Sequence, residues 1–466
     1  MKVSASAEAY AWDQLMQRAG AQTGQAHALE VEGLGLSVFY GDSQRARLAC
    51  PALIVCRADP ADWEKLILTA ERSLRWIPAS QTIPSGAGLP FRNPIPVLFW
   101  GQGVDREHHP FAERLPNGSV IFYADILAAC LFMLARWEET VLPDRDKYDR
   151  FPGRRSTAYR QGFLDIPVVD QYAFILRAWL KTMLPGWQPR PSSPRLNLTH
   201  DIDHVYQYST PLSFARSAGI ALASKHPWAN LSRELKALSD QWYRPEAGTR
   251  YRAIFELAEI SNRNGLKSSF YFMAAKPGLY QQGYDPNHPL IRRSLQALRE
   301  DGHEIGFHPG YSTFENFSQL TAEKERLEAA CGGRITGGRQ HYLRFRVPAT
   351  WQDWKEAGLT YDSTLGYADQ AGFRCGTCRP YRPFNLQQDR EIDILENPLI
   401  VMDATLIQYQ KLEPRPALAS LLGLAERCVE VEGVFTLLWH NATLGDLHAP
   451  WREMYAEAVR RLKDLF

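Results

Sequence analysis

Hydrophobic and polar positions follow two different rhythms along this chain, and the rhythm changes near residue 190. From Leu196 onward, short apolar runs alternate with segments whose apolar residues recur at helical spacing. Leu196 to Asp203, Leu266 to Met273 and His303 to His308 have the pattern of strands, separated by helices over Arg250 to Asn264 and His288 to Glu300. A helix over Ser318 to Ala330 leads to further strands over Ile335 to Phe345, Leu359 to Tyr367, Ile392 to Asp403 and Gly433 to Asn441. Ala417 to Val431 and Trp451 to Leu465 are predicted helices. Such alternation builds βαβ units and a parallel sheet, open or closed into a barrel. In either form, polar residues at the C-terminal ends of strands are the ones placed for function.

Before residue 190 the pattern is less regular. Apolar runs at Leu53 to Cys56 and Pro96 to Trp100 mix with helical spacing over Asp125 to Glu139 and Val168 to Leu184. The polar, basic stretch Pro143 to Arg160 is expected to be a long surface loop. Leu184 to Pro194 is dense in Pro and Ser, which favours an extended linker. These features divide the chain into a smaller α/β accessory domain over residues 1–190 and a second domain over residues 191–466. A chain of 466 residues is long enough to expect two.

Composition narrows the classes of function. Apolar residues at 45% and charged residues at 23% suit a soluble globular protein. A formal net charge of +1 provides no global field for nucleic acid or an anionic membrane, so neither is expected as a partner. The most apolar stretch, Val120 to Trp137, contains Asp125 and is short for a span of about 20 residues, so a buried helix is expected there rather than a transmembrane segment. The N-terminus has no apolar run behind its single Lys, and the seven cysteines show no framework spacing. A cytoplasmic protein with reduced thiols is the expectation.

Candidate chemistry lies at four predicted strands or strand ends. Asp201 and Asp203 stand two apart, so both carboxylates share a face, and a pair that close must hold a proton or bind a cation. His308 follows a short strand and precedes Pro309-Gly310, where a neutral imidazole beside an Asp suits Zn²⁺. His303, on the opposite face, is expected to be structural. Arg339 and His341 share a face, and the Arg is able to orient or charge-balance an Asp. His440 ends the apolar run Leu437-Leu438-Trp439 and is a general-acid candidate.

In this order, the motif Thr199-His200-Asp201-Ile202-Asp203, His308, Arg339, Tyr361-Asp362-Ser363-Thr364 and Leu438-Trp439-His440 resembles the NodB-homology polysaccharide deacetylase superfamily, also called carbohydrate esterase family 4. The resemblance covers roughly residues 195–445 and implies a distorted (β/α) barrel, preceded by an uncharacterised accessory domain. It implies a hydrolase of C–N bonds other than peptide bonds, removing N-acetyl groups from an amino sugar or polysaccharide precursor with a divalent metal, zinc. By the resemblance, Asp201 is the catalytic base, Arg339 braces it and His440 is the general acid. Asp203 and His308 are metal ligands, and Tyr311, Trp439 and Asp362 are the expected substrate-binding residues. One position departs from the pattern: where the family has its second metal-binding His, this chain has Ser312. His341 is the expected replacement, with His204 a weaker candidate. A metal-independent C–N hydrolase of the allantoinase-like type and a lapsed glycan-binding module are the rival readings. The insertion Val205 to Thr249 is expected either to lid the site or to be a packed helical excursion.

Overall fold

A computed structural model describes residues 3–21, 30–31, 36–41, 51–208, 211–446 and 449–466. Its C-terminal part is built on one eight-stranded parallel sheet: β1 (Arg195–Ile202), β2 (Ser268–Phe272), β3 (Glu304–Phe307), β4 (Gly337–Gly338), β5 (Tyr361–Asp362), β6 (Leu395–Glu396), β7 (Val401–Met402) and β8 (Val434–Leu438). The order across the sheet is β6-β5-β4-β3-β2-β1-β8-β7, and every neighbouring pair is parallel. Chain neighbours are therefore sheet neighbours all the way round, except between β6 and β7, where no ladder forms among the described residues. The result is a half-barrel open at one seam, consistent with a distorted (β/α) barrel.

β1, β2 and β8 carry the long apolar runs seen in the sequence and make the long ladders. β4 to β7 are shorter than the sequence pattern predicts. Of Ile335 to Phe345 only Gly337–Gly338 pairs as strand. Close approach explains why glycine stands there: a Cβ on Gly338 would sit 1.8 Å from the Phe307 carbonyl oxygen of β3. Beyond it the chain leaves the sheet in a turn at His341–Leu343, with Tyr342 (φ 62°) and Leu343 (φ 56°) in the left-handed region. Ile392 to Asp403 splits into β6 and β7, and Leu359 to Tyr367 keeps only β5. Apolar runs in these places report burial rather than ladder length.

The N-terminal part has a five-stranded mixed sheet with segments in the order 30–31, 36–41, 52–56, 120–122 and 112–114. Helices Ala5–Ala19, Ile126–Leu134 and Val168–Met183 pack against one another and share one apolar core with this sheet. Every residue of Ile126–Leu134 is buried, and Asp125 caps its start by accepting from the Ala128 N–H. The expected buried helix over Val120 to Trp137 thus begins later, since Val120–Phe122 is a strand. No helix among the described residues is long and apolar enough to cross a membrane.

Residues 184–187 make a hydrogen-bonded turn and 187–194 form neither helix nor strand, yet the apolar core is continuous across them, from Ala7 to Leu462. Buried polar links join the two parts. Arg18 pairs with Asp170, which also accepts from Thr377 Oγ1 and the Cys378 N–H. Glu139 lies between Arg136 and Arg374, at 2.9 and 2.6 Å. The stretch 143–160 is not the surface loop expected. It includes helix Thr157–Gln161, and it buries Arg150, Ser156 and Thr157 because their polar groups find partners. The 205–249 insertion is a pair of helices, Pro211–Leu222 and Pro227–Tyr243, of which only Ala221 is buried.

Candidate active site

The C-terminal ends of β1, β3, β4, β7 and β8 converge on a cleft of about 590 Å³. Asp201, Asp203, His308, His341 and His440 all line it. Asp201 is buried, and its Oδ1 accepts from Arg339 Nη1 at 2.9 Å. Arg339 is itself fixed on several sides, donating to Thr199 Oγ1, the Ser363 carbonyl and Ser363 Oγ. A guanidinium held this rigidly presents one Asp201 oxygen to itself and leaves Oδ2 with no hydrogen bond among the described residues.

Asp203, His308 and His341 form a compact donor group, their ligand atoms all within 4.8 Å of one another. His308 Nδ1 lies 2.7 Å from the Arg339 carbonyl oxygen, to which only an N–H can donate. In the neutral ring this leaves the lone pair on Nε2, which faces Asp203 Oδ1 at 2.9 Å. Both of these buried atoms lack a well-aligned hydrogen bond. Two lone pairs in such contact need a cation or a proton between them. Burial opposes the charged ring of His308, but Asp201 and Asp203 outweigh it and raise its pKa. Asp203 goes the other way: burial penalises its charge, yet His341, His308 and His440 hold its carboxyl well below the usual range. His341 Nε2 lies 3.7 Å from the same Asp203 oxygen. Burial, reinforced by His308, His204 and His440 and resisted by Asp203, pushes His341 down to about 3, so its ring is neutral with a lone pair free for a ligand bond. A carboxylate and two imidazoles match the donor set of an open, three-ligand metal site, and a metal fits these residues.

Asp403, one residue beyond β7, is a site residue that the sequence motifs do not mark. Its Oδ1 lies 2.6 Å from His440 Nδ1, and its Oδ2 accepts from the His440 N–H at 2.9 Å. Burial disfavours the His440 cation, but this carboxylate, aided by Asp203 and Asp201, pushes it up to about 10. His440 Nε2 then faces the cleft, 3.6 Å from Asp203 Oδ2. A signal for Asp403 existed, since it ends a predicted strand.

The three expected substrate contacts fall elsewhere. Trp439 is fully buried and stacks on Tyr455 at 4.7 Å. Adjacent strand residues point to opposite faces, so His440 entering the cleft sends Trp439 to the helix side. Asp362 is also fully buried, bound by Thr364 and paired with Glu396, and burial raises its pKa. Tyr311 lies behind the cleft wall, its ring 4.5 Å from Tyr280, which does line it. Ser312 is exposed and accepts from Gln319 Nε2. His303 is buried and accepts from the Ser268 N–H, as a structural residue would. Arg150, Arg216 and Tyr409 line the cleft without having been anticipated.

Residues 74–185 match the model of a family described as a family of unknown function (DUF7033). No curated protein matches the chain. Among solved structures, the chain is similar to a candidate polysaccharide deacetylase from Mycobacterium smegmatis at 15% identity and a TM-score of 0.37, over 60% of this chain and 87% of that one. It is also similar to BA3943, a CE4 family pseudoenzyme from Bacillus anthracis, at 11% identity and a TM-score of 0.30, over 61% of this chain and 66% of that one. A BA3943 mutant with restored enzymatic activity matches at 12% identity and the same score, over 61% of this chain and 69% of that one. At such identities and scores the functional reading rests on the site's own geometry.

Proposed function

We propose that the protein is a metal-dependent deacetylase that hydrolyses the N-acetyl group of an amino sugar or of a carbohydrate built from it, with zinc as the metal. The observation that carries this reading is the convergence of Asp203, His308 and His341, whose ligand atoms all lie within 4.8 Å of one another at the cleft. A bound zinc ion supplies a Lewis acid for the acyl carbonyl and a water of lowered pKa. Asp203, His308 and His341 would hold it. Asp201 takes the attacking water's proton on Oδ2, while Arg339 keeps Oδ1 occupied and the carboxylate oriented. His440, charged through Asp403 and with Nδ1–H committed to that carboxylate, gives its Nε2 proton to the departing amine. Water has then been added across the C–N bond, giving acetate and a free amine.

The test is acetate release from N-acetylglucosamine oligomers, with metal analysis of protein purified without chelators. Asp201→Asn abolishes release while leaving metal content unchanged. Glycan binding by the wild-type chain with no acetate released would overturn the reading in favour of a lapsed module.

A further inference from the structure

The cleft is electrically lopsided. Its two carboxylates lie on the floor and are already engaged, Asp201 by Arg339 and Asp203 by three imidazoles. The walls carry two arginines and no further acid among the described residues. Arg216, on helix Pro211–Leu222 of the insertion, is exposed and makes no hydrogen bond or ion pair among the described residues. Arg150 comes from the N-terminal part and is buried. It is anchored by Asp146 at 2.8 Å and donates through Nη2 to the Tyr409 hydroxyl oxygen at 2.8 Å. Tyr409 sits at the end of a π-helical turn, Thr405–Tyr409, a feature often found at functional sites. With its oxygen accepting from a guanidinium, its own O–H is left to donate and is the more polarised for it. No described residue accepts that proton.

We propose that this wall is an anion subsite, and that the substrate is an N-acylated sugar carrying a carboxylate or phosphate beside the acyl group. The inference rests on the deacetylase reading and adds the substrate's charge to it. Arg216 supplies the mobile countercharge. The Tyr409 O–H, braced by Arg150, supplies a fixed donor. The N-terminal part therefore contributes to substrate selection through Arg150, and the helical insertion does so through Arg216. Neutral oligomers engage the catalytic floor but leave this wall unsatisfied.

The test is calorimetric binding to the full-length, zinc-loaded Asp201→Asn protein, in which nothing is turned over. Three probes are compared: N-acetylglucosamine, N-acetylglucosamine 1-phosphate and N-acetylmuramic acid, which separate neutral, phosphate and carboxylate ligands. At least one anionic probe binds about tenfold tighter than the neutral one, the scale of one charge-assisted hydrogen bond. Arg216→Gln, at an exposed position that folding does not need, removes that preference. Tyr409→Phe reduces it by removing the fixed donor. Equal affinity for all three probes overturns the subsite while leaving deacetylation standing. A strong anionic preference in a wild-type protein that releases no acetate from any probe supports the subsite and overturns the deacetylase reading instead.

Discussion

Asp403→Asn removes the carboxylate that charges His440 and keeps nearly the same shape. Unit charges about 3 Å apart at an effective dielectric near 20 attract by about 5 kcal/mol. At 1.36 kcal/mol per pKa unit, that corresponds to between about three and four units. The hydrogen-bonded pair in the structure, 2.6 Å apart, places His440 at about 10 against an ordinary value of 6.5, which agrees with that scale. Without Asp403, burial remains and its main opponent is gone, so His440 is expected to titrate about three units lower. A general acid must be protonated to act. Activity at pH 9 then falls by about 100-fold relative to wild type, whereas activity at pH 6 changes far less. A metal on Asp203 withdraws that carboxylate's share and lowers both profiles together, leaving the difference between them. The linkage has a definite sign. A raised pKa means stability fully present below about 6.5 and lost as pH rises toward 10, so the metal-free wild type loses stability over that window and the variant loses much less. The assays are the pH profile of acetate release and NMR titration of the His440 ring in metal-free protein. Equal titration points in both proteins would refute the reasoning.

Other perturbations follow from the same geometry. His341→Ala removes one of three donors and should weaken zinc by about 100-fold with the fold intact, as read by competition with a chelating dye; unchanged affinity would give the third ligand to another residue. Gly338→Ala drives a Cβ against the Phe307 carbonyl oxygen, a backbone atom that cannot turn aside, and should cost about 3 kcal/mol or more in denaturant unfolding. Trp439→Phe should lower stability by about 1–3 kcal/mol yet leave KM unchanged, and a raised KM would return Trp439 to the substrate site. Glu139→Gln leaves Arg136 and Arg374 as like charges buried without their shared carboxylate, so it should cost about 3–5 kcal/mol; a loss within error would show that the two parts do not depend on this link.

The C-terminal part is legible in the sequence where a long apolar run is also a long strand of the parallel sheet, as at β1, β2 and β8; elsewhere the runs mark burial alone. Asp201, Asp203, His308 and His440 could be found because they follow such runs, and strand ends are where a sheet of this type opens. His341 was found by position, although the strand assumed around it is a turn with two residues at positive φ. Trp439 and Asp362 lie buried away from the cleft because the alternation of faces, which residue type alone does not report, turns each toward the helices. Arg150 has only Asp146 near it in sequence to mark it. Its burial depends on Asp146, Tyr409 and the Tyr342 carbonyl oxygen, and the last two lie almost two hundred residues or more downstream. Patterning reports which face of an element is apolar. It does not report which distant element will satisfy a lone arginine.

The most direct test of the account is acetate release by the chelator-stripped chain before and after one equivalent of zinc is added back. The account predicts no release without metal, recovery on addition, and no recovery in His308→Ala under the same conditions. Full release by the stripped protein would contradict the metal's role, and no release from the zinc-loaded protein on any N-acetylated sugar would contradict the deacetylase itself.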